Sequence, residues 1–329
     1  MKAILFNELG NESLMTSADL PKPEPKPDEV LVRVSAAGLN PVDVLITAGH
    51  YFRKPPLPYQ PGFEGCGVVE SIGESVALFK PNDRATFRQG SVGFGRVSGS
   101  FAEYVVCRQE DLMPTPDTLT DDEAGGFWLA GLTAWGGLVH LLRLEPGQTV
   151  LITAASGGVG HLAVRLAKAI GARVIATTRT KEKVAFIEQM GADYVIPTDE
   201  VDLADAAKAL GGVDHAFDAV GGEVTIALMK ALKPHGRVVV YGAVSRKPPV
   251  VDFASLIGKA TGILGFTMMT LREQPQLLEK AESDLLSYVA KDGLKPHIGA
   301  RFGISDAAKA WRAIKDGSGV GKILLLPGA

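Results

Sequence analysis

The chain has 329 residues, of which 46% are hydrophobic and 22% charged, with 34 basic and 37 acidic side chains. This length suggests about two domains, and the near balance of charge gives no indication of a nucleic-acid or membrane partner. The sequence contains no uncharged apolar stretch of about 18 residues, so we expect no membrane span. Two cysteines are too few for a disulfide framework or a Cys₄ zinc site. We therefore expect a cytoplasmic globular protein.

The first third of the chain has the pattern of short strands separated by loops rich in glycine and proline. Residues Glu29–Ser35 alternate with a period of two, as a half-buried strand does. Gly65–Ile72 and Phe101–Cys107 are further strand candidates. This spacing of strands predicts a small β-barrel.

From about residue 121 the chain changes to helices alternating with short apolar strands, and residues 121–144 are mostly helix-compatible. Such alternation predicts a parallel sheet with helices on both faces. The predicted elements are strand Thr149–Ala154, helix Val159–Ile170, strand Arg173–Thr178, helix Lys181–Met190, strand Tyr194–Ile196, helix Leu203–Leu210, strand His215–Asp218, helix Val224–Ala231, strand Arg237–Tyr241, helices Gln274–Lys291 and Asp306–Lys315, and a last strand Lys322–Leu326.

A glycine-rich turn separates the first predicted strand of this series from its helix. Residues 155–160 read Ala-Ser-Gly-Gly-Val-Gly, which fits the G-x-G-x-x-G pattern with alanine in the first place. The strand–turn–helix context makes the pattern indicate a dinucleotide, whose pyrophosphate would meet the backbone and the helix N-terminus. The predicted contacts here are Ser156, Gly157, Gly158, Val159 and Gly160.

The end of the second strand favours NADP(H) over NAD(H). An NAD-binding unit has an Asp or Glu about 20 residues after the glycines, to bind the ribose 2′-OH. This chain has Thr178 and Arg179 there, with Lys183 one turn further on. A hydroxyl and two cations suit a 2′-phosphate, which an acid would repel. Surface charge is the alternative for both cations.

Two later strand ends also lie where an open parallel sheet binds its ligand. Their glycines would permit close approach of the backbone to a ring. The predicted cofactor contacts are Val220, Gly221, Tyr241, Gly242 and Ala243.

Four motifs together resemble the medium-chain dehydrogenase/reductase superfamily, specifically its zinc-free quinone oxidoreductase branch. They are Ala-Gly-Leu-Asn-Pro-Val-Asp at 37–43, Pro-Gly-Phe-Glu-Gly-Cys-Gly-Val-Val at 61–69, Gly-Leu-Thr-Ala at 131–134, and the turn at 155–160. The resemblance implies a Rossmann-type doubly wound parallel sheet, residues 121–264, inserted into a GroES-like β-barrel catalytic domain, residues 1–120 completed by 265–329. It also implies a homodimer formed by edge strands near Gly262–Phe266.

The resemblance further implies which residues serve the site. Asn40 corresponds to the polar group beside the nicotinamide, Thr133 to the hydroxyl near its ribose, and Tyr51 to the pocket tyrosine. We expect these three as catalytic residues, with Asn40 and Thr133 also contacting the cofactor. Phe266 and Met268 would add cofactor and pocket contacts, although core packing is the alternative for the methionine.

The zinc-containing dehydrogenases of the superfamily have a cysteine near Leu39 or Asn40 and a histidine where this chain has Phe63. Since a catalytic zinc needs about three Cys, His or carboxylate ligands, we expect no metal site. We interpret Glu64 as a structural hydrogen-bonding residue rather than a catalytic acid.

The expected function is therefore an NADPH-dependent transfer of hydride to a quinone or a similarly activated carbonyl, without a metal. One alternative is an NADPH-dependent enone or enal double-bond reductase, which would use the same residues. A third hypothesis, from another class, is an NADPH-binding sensor or interaction protein with little turnover.

Overall fold

The computed structural model describes residues 1–88, 99–248 and 250–328. The chain folds as two compact units, unit 1 (Met1–Leu129 with Lys295–Ala329) and unit 2 (Ala130–Leu294). The strands, in chain order, are β1 (Lys2–Phe6), β2 (Met15–Asp19), β3 (Glu29–Leu39), β4 (Cys66–Ile72), β5 (Arg84–Phe87), β6 (Tyr104–Arg108), β7 (Leu112–Pro114), β8 (Thr149–Ile152), β9 (Arg173–Thr178), β10 (Tyr194–Pro197), β11 (Val213–Asp218), β12 (Leu232–Val240), β13 (Gly262–Gly265), β14 (Ile298–Gly303) and β15 (Lys322–Leu326).

The helices follow the same chain-order numbering. They are α1 (Pro41–Thr47), α2 (Asp121–Trp135), α3 (Gly160–Ile170), α4 (Val184–Gln189), α5 (Leu203–Ala209), α6 (Glu223–Ala231), α7 (Phe253–Gly258), α8 (Met268–Arg272), α9 (Pro275–Asp292) and α10 (Ala307–Asp316). In the described parts of the chain, no helix is both long and apolar enough to cross a membrane.

Unit 1 contains a seven-stranded sheet in the order β14-β15-β3-β4-β5-β7, with β6 also paired to β3. The last strand of the chain, β15, runs antiparallel to β3, and Leu39 lies opposite Ile323. The alternating apolar side chains of β3 fill the core beneath it. The C-terminal strand therefore completes the N-terminal sheet, as the GroES-like fold requires.

The core of unit 1 is closed by Trp311 on α10. Its ring lies edge-on to the ring of Phe101, with 5.5 Å between centroids. Its indole N–H donates to the Thr47 hydroxyl at 3.2 Å, so the one polar atom of a fully buried side chain is satisfied. The contact also fixes α1, which carries the residues that follow Asn40.

Unit 2 contains a six-stranded parallel sheet in the order β10-β9-β8-β11-β12-β13. The strand order reverses between β8 and β11, which is where open sheets of this type bind their ligands. The interior strands are nearly continuous apolar runs because both of their faces are covered. The prediction of a Rossmann-type sheet inserted into a GroES-like fold is confirmed.

Several predicted bounds differ from the structure for identifiable reasons. The helix predicted over 121–144 ends its α-helical part at Trp135 and continues as a wider turn, Gly136–Leu141. Strand β12 begins at Leu232, before the predicted Arg237, because a register shift carries the chain past a turn-like Pro-His-Gly segment. The strands β1, β2, β5, β7 and β14 and the helices α1, α7 and α8 were not predicted.

The predicted domain boundaries and the compact units do not coincide. The first unit border falls after Leu129, inside α2, and the second falls after Leu294, whereas the sequence suggested 120/121 and 264/265. The assignment of residues 265–294 to a catalytic or a nucleotide-binding domain therefore stays a prediction. Residues 89–98 of the predicted first domain lie outside the described residues.

Candidate functional site

The glycine-rich turn follows β8 and leads into α3, as predicted. A Cβ on Gly160 would overlap the carbonyl oxygen of Ala154 and lie 2.7 Å from the Ala155 Cα, so the helix packs here only without a side chain. A Cβ on Gly157 would meet only the Ala154 carbonyl oxygen, at 3.3 Å. The backbone of the turn is therefore close to the sheet on one side and open at Gly157 on the other. The N–H groups of the first turn of α3 have no partner within the helix, and such groups bind phosphate. Ser156, Gly158 and Val159 lie in the glycine-rich turn just before this helix.

The end of β9 lies beside this turn. The Ala155 N–H donates to the Thr177 carbonyl at 3.0 Å. Thr178, the next residue, is buried at the strand end, Arg179 is exposed and Lys183 is half-buried. Burial lowers the pKa of Lys183, and the charge of Arg179 lowers it further. Because two cations are held near each other at this strand end, an anion bound between them would relieve their repulsion.

The end of β11 is organised by a buried carboxylate. Asp218 Oδ1 accepts hydrogen bonds from the Thr153 hydroxyl (2.9 Å) and from the Val220 N–H (2.8 Å). Its Oδ2 accepts from the Gly221 N–H (3.2 Å) and from the Thr225 hydroxyl (2.9 Å). Gly221 has φ +73°, which a glycine adopts without strain. Asp218 thus fixes the turn that carries the predicted contacts Val220 and Gly221.

The residues after β12 approach the sheet closely. The rings of Tyr241 and Phe217 stack with 4.1 Å between centroids, and burial raises the pKa of the Tyr241 phenol. A Cβ on Gly242 would lie 2.8 Å from the Ala219 carbonyl oxygen, so only glycine fits there. Ala243 is exposed at the end of this segment.

The residues after β13 meet the end of α2. The Phe266 N–H donates to the Val240 carbonyl at 2.9 Å, and Met268 begins α8. A Cβ on Gly136 would overlap the Phe266 ring. Thr133 lies one turn earlier and is buried. The structure therefore places Thr133 on a helix that packs against a strand end.

These segments share one edge of the sheet in unit 2, which we call the carboxyl edge. It consists of the residues at and after the carboxyl ends of β8, β9, β11, β12 and β13. Every predicted cofactor residue of unit 2 except Thr133 belongs to these segments, because the carboxyl ends of parallel strands meet at one edge. Asp218, predicted only as the last residue of a strand, stabilises the turn after β11 through its four hydrogen bonds.

In unit 1 the side chain of Asn40 lies in a buried group of polar residues, which we call the Asn40 cluster: Asn40, Asp43, Glu64 and Lys322. Asn40 Nδ2 donates to the Gly38 carbonyl at 3.1 Å and to Glu64 Oε1 at 2.8 Å. Asn40 Oδ1 accepts from the Lys322 ammonium at 2.7 Å. Both amide donors are therefore used inside the protein.

Glu64 and Lys322 form an ion pair in which each side chain is 1% exposed. The other carboxylate oxygen of Glu64 accepts from the Leu129 N–H at 3.0 Å. A Cβ on Gly38 would overlap this carboxylate, and α2 approaches the stem of the lysine through Gly126, whose added Cβ would lie 3.3 Å from Lys322 Cε. The structural hydrogen bonding expected of Glu64 is present.

Asp43 connects the cluster to two backbone segments. Its carboxylate accepts from the Asn40 N–H at 2.9 Å and from the Gly62 N–H at 3.1 Å. Burial, together with the charge of Glu64, raises the pKa of Asp43 to about 7, although the backbone donors and Lys322 oppose the shift. Asp43 therefore binds its proton near neutral pH.

Tyr51 and Phe63 are the other two residues of unit 1 that the resemblance singled out. The Tyr51 ring lies tilted by 33° against the ring of Phe52, with 4.2 Å between centroids. Burial raises the pKa of Tyr51, so its phenol stays protonated at neutral pH, although Arg53 acts in the opposite direction. Phe63 is half-buried.

The residues at the expected zinc positions do not fit a zinc ion. Phe63 has no donor atom, Asn40 offers only an amide oxygen, and the carboxylate of Glu64 already binds an ammonium group. A protein zinc site needs about three good ligands. Within the part of the chain that the structure describes, no group of three His, Cys, Asp or Glu side chains is arranged to hold a metal.

Two compact units, one with a GroES-like sheet and one with a Rossmann-type sheet, define an α/β dehydrogenase or reductase architecture. The family model described as "Zinc-binding dehydrogenase" matches residues 158–283, and the model described as "Alcohol dehydrogenase GroES-like domain" matches residues 26–117. The quinone oxidoreductase of Mus musculus is 33% identical over 99% of this chain and 98% of that protein. The chain thus belongs to the medium-chain dehydrogenase/reductase superfamily, in its quinone oxidoreductase branch, and is an oxidoreductase.

Solved structures agree with this membership. The Escherichia coli quinone oxidoreductase complexed with NADPH superposes with a TM-score of 0.88 at 26% identity, covering 99% of this chain and 100% of the other. A structure described as an NAD-dependent alcohol dehydrogenase superposes with a TM-score of 0.89 at 32% identity, covering 99% of each chain. Since the two neighbours differ in cofactor, the choice for this chain depends on its own residues.

Proposed function

We propose that this oxidoreductase uses NADPH to reduce a quinone or a similarly activated carbonyl compound, without a metal. The observation that carries the proposal is the carboxyl edge of unit 2, where the glycine turn, open at Gly157, and the cations Arg179 and Lys183 follow neighbouring strands. The turn suits a pyrophosphate, and the cations suit a 2′-phosphate. The solved Escherichia coli relative is itself complexed with NADPH.

The residues of unit 2 divide the binding of the dinucleotide among them. The turn from Ser156 to Gly160 receives the pyrophosphate, and Thr178, Arg179 and Lys183 receive the 2′-phosphate. Val220, Gly221 and the segment 241–243 approach the cofactor with backbone, with Phe266 and Met268 beside them. When bound, NADPH supplies the hydride.

The acceptor follows from the chemistry of the residues in unit 1. Because Asn40, Phe63 and Glu64 do not form a zinc site, the chain has no strong Lewis acid there to polarise a simple ketone. A quinone needs no such help, since its carbonyl groups are already activated. We assign Asn40, Thr133 and Tyr51 to positioning, and Tyr51, as a neutral phenol, is the proton or hydrogen-bond donor to the reduced oxygen.

We also propose that the protein forms a homodimer through β13. This strand lies at the outer end of the six-stranded sheet. Near it in sequence, α7 carries Phe253 and Ile257, which are 73% and 67% exposed. A second copy paired along β13 would cover both an open strand edge and an apolar surface. Replacing Ile257 by Glu should convert the dimer to a monomer in light scattering, and a wild-type monomer would refute the proposal.

Steady oxidation of NADPH, followed at 340 nm, tests the function. We expect turnover with 9,10-phenanthrenequinone and 1,4-naphthoquinone. Turnover with an enal alone would favour the double-bond reductase, whose β-carbon would receive the hydride. Tight NADPH binding without turnover of any acceptor would favour the sensor role and contradict the proposal.

We also propose that the protein is located in the cytoplasm. Both cysteines are free and buried, which suits a reducing compartment.

A further inference from the structure

Glu64 and Lys322 form a buried ion pair, and each of the two side chains is 1% exposed. Both side chains are hydrogen-bonded to Asn40. Its two members are separated by 258 residues in sequence. Burying two charges is costly unless further hydrogen bonds satisfy them. Here the amide of Asn40 contacts both charges, and the Leu129 N–H donates to the other carboxylate oxygen of Glu64.

The chemistry of the pair allows Asn40 only one orientation. A lysine ammonium donates and never accepts, whereas an ionised carboxylate accepts and never donates. In the observed arrangement the amide nitrogen faces Glu64 and the amide oxygen faces Lys322. If the amide were flipped, its nitrogen would face the Lys322 ammonium, a donor against a donor, and its oxygen would face the Glu64 carboxylate, an acceptor against an acceptor. The backbone adds the same preference, because Nδ2 also donates to the Gly38 carbonyl.

We propose that Lys322 is a positioning residue that, with Glu64, locks the amide of Asn40 so that it presents only an acceptor oxygen. Both N–H groups of the amide are used internally, so the oxygen is the only atom of the amide that can form a hydrogen bond to a ligand. A ligand group that binds Asn40 must therefore be a hydrogen-bond donor, an N–H or an O–H. This step rests on the proposed function only in taking Asn40 as a ligand-contacting residue.

The lock itself can be measured without any turnover. The Nδ2 protons of Asn40, observed in ¹⁵N-edited spectra and assigned with Asn40→Ala, should exchange with water at least about tenfold more slowly than those of the exposed Asn7. In Glu64→Gln/Lys322→Met, which removes both charges together and so leaves no unpaired buried ion, the protection should fall about tenfold. Unchanged protection in this double variant would overturn the proposal.

The matched control is Lys295→Met. It makes the same replacement in the same unit and breaks a single ion pair, the 3.4 Å contact to Glu123, which involves no residue of the Asn40 cluster. We expect wild-type protection of the Asn40 amide in this variant. A loss equal to that in the double variant would mean that general loosening of unit 1, and not the lock, controls the exchange, and would also overturn the proposal.

Kinetics tests whether Lys322 acts through Asn40. Asn40→Ala and Lys322→Met should each lower kcat/KM for the quinone by up to about 100-fold. The kcat/KM of the double variant Asn40→Ala/Lys322→Met should be no lower than that of the less active single variant. Multiplying effects would contradict a role through Asn40. If the wild-type protein reduces no quinone, the proposed function fails, but the exchange measurement still decides the lock.

Discussion

The carboxyl edge of unit 2 and the Asn40 cluster of unit 1 are built in opposite ways. The edge uses backbone and glycine, with its cations exposed or half-buried at Arg179 and Lys183. The cluster is built from four buried polar side chains, with an ion pair at its centre. An open edge suits a ligand that brings several charges of its own, such as a dinucleotide.

The difference also shows what each region can tolerate. Replacing an exposed charge at the edge should change ligand affinity but lower stability little, because water solvates the partner group that remains. A buried charge that loses its partner has no such solvation. Substitutions in the cluster should therefore lower stability first, whereas those at the edge should lower binding first.

The largest expected effect is on stability, in Lys322→Met. Removing the ammonium leaves the Glu64 carboxylate buried without its partner, so the free energy of unfolding should fall by about 3–5 kcal/mol. Chemical denaturation measures it, and Lys295→Met, which breaks a partly exposed pair, should cost less than about 1 kcal/mol. If the two variants lost the same free energy of unfolding, the buried ion pair would be no more important for stability than the partly exposed one, which would contradict this prediction.

A smaller effect is expected in Gly160→Ala at the carboxyl edge. The added Cβ would overlap the Ala154 carbonyl and push α3 away from the turn. We expect a loss of about 1–3 kcal/mol in stability together with weaker NADPH binding. Gly258→Ala is the control, because a Cβ there meets nothing within 4 Å. A Gly160→Ala protein with wild-type affinity would show that the turn does not hold the phosphates.

The pH dependence of stability tests the cluster without changing its ion pair. Burial raises the pKa of Asp43 from 3.8 to about 7, so the folded state keeps a proton that the unfolded chain has already released. The stability that Asp43 contributes is therefore complete below about pH 4 and is lost as the pH rises through about 7. The cost of Asp43→Asn should be roughly 2–3 kcal/mol larger at pH 5 than at pH 8. The same cost at both pH values in denaturant titrations would contradict the raised pKa.

The sequence predicted the carboxyl edge better than the cluster, and the reason is distance along the chain. The turn at 155–160 and the cations near 179 belong to one strand–helix–strand unit, so a local pattern reveals them. Lys322 meets Asn40 across 282 residues, and a lysine at the start of a strand normally indicates a solvated surface. Only the pairing of β15 with β3 brings the two together.

The elements that the sequence did not predict have a similar explanation. Strands β1, β2 and β14 are short and partly exposed, so their apolar periodicity is weak. Asp218 was predicted only as the last residue of a strand, because its partners Thr153 and Thr225 come from other elements and no local pattern reveals them. The family resemblance supplied the arrangement of these parts, which no local pattern contains.

The most direct test of the account is the affinity for NADPH and for NADH, measured by calorimetry on the wild-type protein and on Arg179→Ala. We expect the wild-type protein to prefer NADPH, and Arg179→Ala to weaken NADPH binding by about 10–100-fold, the worth of a charge-assisted hydrogen bond, with NADH binding unchanged. Lys181→Ala is the matched control, since Lys181 is paired with Glu200 at 2.7 Å, and it should leave both affinities unchanged. Equal weakening of NADPH and NADH in Arg179→Ala, or a wild-type preference for NADH, would contradict the account.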